Sequence, residues 1–141
     1  MTASPGTGLA TPLEALRLSL HVLGAAVWVG GQITLGALVP AARGLGDGAT
    51  RALARAFARV QWPAYALVVV TGFWNVSAVG AGQPTSWKVV LAIKIAVVAL
   101  AGVAAFLHGR ARTKSGLAAW GAVTALSSVA ALVMGVFLAG P

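Results

Sequence analysis

The 141-residue chain has no cysteine, which excludes disulfides, thiolate metal centres, cysteine nucleophiles and c-type haem attachment. It has only two acids, Glu14 and Asp47, too few for paired-carboxylate catalysis or a carboxylate-lined Mg²⁺ or Ca²⁺ site. Charged residues make up 9% of the chain, against roughly 25% in a soluble domain. Hydrophobic residues make up 59%, so lipid is the expected solvent. What charge there is runs one way, ten Lys and Arg giving a net charge of +8. That excess invites a nucleic-acid reading, which requires the bases to cluster on a water-facing surface.

Their placement argues otherwise. Four apolar stretches, at about 13–39, 61–79, 86–108 and 117–138, are long enough to cross a bilayer as helices. Pro40 ends the first, Gly80 and Pro84 separate the second from the third, and Gly116 opens the fourth. Helix is the economical choice, because each unpaired backbone group in lipid costs several kcal/mol. Short connections favour antiparallel neighbours, hence one all-α domain, an up-down four-helix membrane bundle. Arg43, Arg51, Arg55 and Arg59 fall between the first two spans, and Arg110, Arg112 and Lys114 between the last two. The positive-inside rule makes both loops cytoplasmic and both termini extracytoplasmic, in a multi-pass inner (plasma) membrane protein. Seven of the ten bases are thereby topology determinants, and no nucleic-acid partner is expected.

Arg51, Arg55 and Arg59 recur every fourth residue, with Leu53, Phe57 and Val60 on other faces. They predict a short interfacial helix, capped by Asp47 or Thr50, that binds anionic inner-leaflet lipids and runs into the second span before Pro63. Trp62, Trp120, Trp74 and Trp87 suit the interfacial belts, whereas Trp28 sits in mid-span. The N-terminal apolar run is too long for a signal peptide and is expected to stay attached.

Ionisable groups within a bilayer are functional candidates by default, and His21 and Lys94 are the clear cases. Both lie in the outer half at similar depth, while His108 is about 21 Å further in by helical rise and cannot share a haem with His21. Arg17 and Lys88 are placed near the outer surface. Glu14, His21 and Trp28 recur every seven residues, with Arg17, Gly24 and Gln32 near the same stripe. The second span carries Gln61, Tyr65, Gly72 and Asn75, and the fourth Trp120, Thr124, Ser127 and Met134. The outer half of the interior therefore collects His21, Lys94, Asn75, Met134 and Trp28. Lys94 has no carboxylate in any span to pair with, so it snorkels outward, is neutral, or meets an anionic ligand. Haem propionates are such a ligand, with His21 as axial imidazole. Copper held by His21 and Met134 is a second option. The plain alternative is a His bonded to backbone and a Lys reaching the headgroups.

The run Leu20-His21-Val22-Leu23-Gly24-Ala25-Ala26-Val27-Trp28-Val29-Gly30-Gly31, a His followed by Trp-x-Gly-Gly, resembles the first helix of the CopD-type copper-resistance membrane proteins and the HemJ-type protoporphyrinogen oxidases. Trp87-Lys88 through Leu91, Lys94 and His108 is similar to a later helix of both. The resemblance implies a bundle in which His21 ligates b-type haem or copper, with Lys94 in the same pocket.

Three functions follow as expectations. The first is a haem b protein serving electron transfer or haem-linked oxidation, with His21, Lys94, Trp28 and Asn75 around the cofactor. The second is a copper-handling protein using His21 and Met134. The third is a cofactor-free scaffold whose Gly24, Gly30, Gly31 and Gly36 dock a second copy or another membrane protein. A serine hydrolase is unlike this chain, because Ser127 and Ser128 have no nucleophile-elbow context.

Overall fold

The computed structural model describes residues 8–140, and the start of the N-terminal run lies outside them. The chain is all-α: α1 is Pro12–Gly44, α2 Asp47–Val79, α3 Thr85–Arg110 and α4 Lys114–Ala139. Each helix is long and apolar enough to cross a membrane. The helices pair into two compact units, α1 with α2 and α3 with α4.

In the first hairpin, α1 begins with a reciprocal cap. The Thr11 hydroxyl accepts from Glu14 N–H, while Glu14 Oε2 accepts from Thr11 N–H at 2.8 Å. Pro12 follows at the first helical position, where its missing N–H is no loss. The helix continues past Pro40 to Gly44, so it outruns the span expected from sequence. A proline removes one backbone bond but leaves the bonds on either side to carry the helix.

The turn is Leu45 and Gly46, whose N–H groups donate to Ala42 O and Arg43 O. Gly46 has φ +101°, a conformation that favours glycine. Gly46, not Asp47 or Thr50, is the N-cap of α2, and Asp47 is its first residue. Asp47 there faces the positive end of the helix dipole without making a side-chain cap. The arginine-bearing segment is not a separate helix either, since α2 runs unbroken through Pro63 to Val79. Arg51, Arg55 and Arg59 lie exposed along its first half.

In the second hairpin, the Thr113 hydroxyl caps α4 by accepting from Gly116 N–H at 3.0 Å. The Trp87 indole N–H of α3 donates to Leu138 O at the far end of α4, at 3.0 Å. At the turn end, the His108 ring donates through Nδ1 to Leu117 O at 2.9 Å. These two rungs fix the antiparallel register of α3 and α4.

The distribution of side chains inverts that of a water-soluble bundle. Large apolar residues point outward, Leu126 being 73% and Phe137 74% exposed. The buried positions are mostly small or polar: Ala64, Ala101, Ala104, Ala131, Thr71, Thr124, Ser127 and Ser128. In water such a surface would be an aggregation liability, whereas in lipid it is the expected exterior. The protein is a multi-pass membrane protein.

Candidate functional site

The polar interior of the first hairpin is built as rungs between α1 and α2. Close approach comes first. A Cβ on Gly24 would lie 2.9 Å from the Val68 side chain and 3.2 Å from Ala64 O. A Cβ on Gly31 would strike the Phe57 ring at 2.5 Å. These glycines let α2 lie against α1, so Gly24 and Gly31 serve contacts within the hairpin. Gly30 and Gly36 have nothing within 4 Å of the same position.

One turn before Gly24, His21 reaches across to Thr71, with Nδ1 and Oγ1 2.9 Å apart. The direction of this bond follows from proton counting. The single Thr71 hydroxyl proton is directed to Leu67 O of its own helix, at 2.6 Å. Thr71 therefore accepts from the imidazole, and His21 carries its proton on Nδ1. In the neutral ring the lone pair is then on Nε2. Thr71 is only 2% exposed, so this acceptor is fixed within the hairpin. The edge of the ring lies over Gly72, whose added Cβ would be 3.5 Å from His21 Cε1.

The next rung outward, toward the start of α1, joins Arg17 to Asn75. Arg17 is 3% exposed, although sequence reasoning puts it near the surface. Its Nη1 donates to Asn75 O at 3.4 Å, and its Nε has no hydrogen-bond partner. The side-chain Oδ1 of Asn75 is likewise buried without one. Toward the turn, Trp28 packs against Tyr65 at 4.6 Å and Trp62 at 6.1 Å between ring centroids. Trp28 is thus the aromatic centre of this hairpin, two turns from His21 along α1. Gln32 binds back to Trp28 O at 3.0 Å.

The other residues expected at the site lie in the second hairpin. The Lys94 ammonium rests against α4 at Gly135, where an added Cβ would come within 2.9 Å of Nζ. Met134 lines an open apolar groove of about 520 Å³ with Trp87, Val90, Ile93 and Phe137. The hydroxyls of Thr124 and Ser127 bond to carbonyls of their own helix, Trp120 O and Val123 O. His108 lies at the turn end, engaged with Leu117 and beside Gly121.

One member of the first hairpin's site, Thr71, escapes the sequence reading, and Arg17, expected near the inward stripe but close to the outer surface, is buried. Ala64, Val68, Thr71 and Asn75 follow the alternating four-and-three spacing of a helix seam, and that pattern was the available signal. Among the described residues, no three or more His, Asp or Glu side chains gather into a metal-holding group. Comparison with protein-family models, curated proteins and solved structures found no match to this chain.

Proposed function

We propose that the protein is a small membrane haem b protein of the CopD-like and HemJ-like type, with His21 as axial ligand, serving electron transfer or haem-linked oxidation. The supporting observation is the 2.9 Å contact of His21 Nδ1 with Thr71, whose own hydroxyl bonds to Leu67 O and so suits it to accept from the ring. Histidines that ligate metals characteristically donate their other ring nitrogen to a fixed acceptor, which sets tautomer and ring orientation. In that tautomer Nε2 is the ring nitrogen that carries the lone pair. The donor set also suits haem: the porphyrin brings its own ring nitrogens, so a single positioned imidazole is enough to start a site. When bound, the group supplies reversible one-electron chemistry at iron.

The chain's own residues do the rest. Thr71 orients the imidazole, Gly72 places no side chain against its Cε1, and the apolar exterior excludes water. The buried guanidinium of Arg17 matches an acidic substituent on the ligand. The inner (plasma) membrane is the location in this reading, with basic turns toward the cytoplasm and anionic lipid.

Copper held through His21 is the competing reading, and one purified sample separates the two. Detergent-solubilised protein from haem-replete cells is expected to show a Soret band and a haemochrome spectrum, both lost in His21→Ala and retained in His108→Ala. A colourless wild-type preparation would overturn the haem reading. Stoichiometric copper by elemental analysis in such a preparation would establish the competitor.

A further inference from the structure

The most unusual group in the molecule is Arg17. A guanidinium removed from solvent has lost its hydration and requires charge and hydrogen-bond acceptors in return. Arg17 is 3% exposed, and what the hairpin offers it is a neutral carbonyl at 3.4 Å, the long limit for a hydrogen bond. Its Nε is buried without an acceptor. The nearest acid in sequence, Glu14, feels the charge of Arg17 but directs Oε2 to the Thr11 backbone N–H that caps α1, making no ion pair with the guanidinium.

Arg17 precedes His21 by four residues on the same helix, one turn or roughly 6 Å along the axis. Both face α2, at Asn75 and Thr71, which are themselves one turn apart. A ligand group bound at His21 Nε2 thus has a fixed cation one turn to the open end of the hairpin.

We propose that Arg17 is an oxyanion-binding site for the carboxylate or phosphate of an amphiphilic ligand. Guanidinium presents N–H groups in a planar fork, which matches two oxygens of one carboxylate or phosphate. Two sources share this chemistry: a propionate of the porphyrin at His21, and the phosphodiester of a membrane lipid. The propionate source rests on the haem reading, and the lipid source does not.

The test has two arms, each beginning with the wild-type protein so that misfolding of a variant does not decide it. In the first, apo-protein is titrated with haem b and with its dimethyl ester, in which both propionates are neutral. Wild type is expected to prefer the free acid by about tenfold or more, the worth of a charge-assisted bond. Arg17→Gln is expected to bind both forms alike, and Arg17→Lys to keep part of the preference. In the second arm, native mass spectrometry counts phosphatidylglycerol retained after detergent exchange, with retention expected in wild type and loss in Arg17→Gln. A preference for the free acid assigns the porphyrin carboxylate, and retained lipid assigns the phosphodiester. Wild type that binds both haems equally and retains no phospholipid overturns the site. Failure to bind either haem overturns the haem reading alone, and the lipid arm then decides for or against Arg17.

Discussion

The two hairpins solve the same problem, burying helix against helix in lipid, with different chemistry. In α3–α4 the mid-helix Thr124 and Ser127 hydroxyls are consumed locally, and the side-chain bonds that cross the interface, from Trp87 and His108, lie at its two ends. Thr124 and Ser127 bond to their own helix, and Trp87 closes one end against Leu138 O. The buried residues of these two helices are small: Ala101, Gly102 and Ala104 on α3, and Thr124, Ser127, Ser128 and Ala131 on α4. In α1–α2 the polar groups cross the interface: His21 to Thr71 and Arg17 to Asn75, with a Trp-Tyr-Trp cluster beneath. Interhelical polar bonds in membranes are worth only about 0.6 kcal/mol on average, so adhesion alone is a poor reason to bury an arginine. The difference teaches that the second hairpin is built to pack and the first is built to present groups.

Substitutions can break this contrast, beginning with the largest effect. His21→Ala is expected to abolish bound haem, read as loss of the Soret band, while His108→Ala at the turn end of the other hairpin leaves the haem-to-protein ratio of the purified protein above half that of wild type. A ratio lost equally in both variants would erase the distinction between hairpins. Next is Gly24→Leu, which forces a side chain into Val68 and Ala64 and should destabilise the first hairpin by about 1–3 kcal/mol. Gly30→Leu, placed where nothing lies within 4 Å, should be nearly neutral in the same detergent melt. Equal melting of the two would show that Gly24 is not a close-approach residue.

Thr71→Val keeps the shape but removes the acceptor for His21 Nδ1–H. It is expected to weaken haem binding about 10–100-fold, the usual scale for a group that orients a metal ligand. Ser127→Ala, whose hydroxyl bonds only within α4, should leave both spectrum and melting unchanged. A Thr71→Val protein with wild-type affinity would detach the tautomer argument from function. The smallest effect belongs to Trp87→Phe. It removes one interhelical bond and should lower stability by about 0.6 kcal/mol without touching the spectrum.

The all-α class, the four membrane-long helices and the inward-facing stripe with His21 and Trp28 are legible from composition and spacing. The register between α1 and α2 is not, because periodicity on one helix says which face is buried but not which residue lies opposite. That pairing is set by the turn, and the turn lies where Pro40 and the glycines after it suggest a longer loop. With α1 ending at Gly44 and α2 starting at Asp47, Thr71 falls opposite His21 and Asn75 opposite Arg17. Arg17 looks superficial in sequence because a charge near the start of a span usually snorkels. Its neighbours on α2 hold it inside instead. Thr71 is inconspicuous because a lone threonine in an apolar helix most often bonds its own backbone, which this one also does.

The two-residue turn at Leu45 and Gly46 bears on how the chain enters the membrane at all. A single helix carrying an arginine and a histidine into the hydrocarbon faces a penalty of about 2.5–3.5 kcal/mol for the arginine at mid-membrane, less near the interface. Because α1 and α2 are joined so tightly, the backbone carbonyl and the hydroxyl that receive those side chains arrive with them on the returning strand of the hairpin. Insertion of α1 and α2 as a preassembled pair, rather than one span after the other, is the route this connection favours. The glycine at φ +101° thereby becomes a biogenesis element as well as a corner.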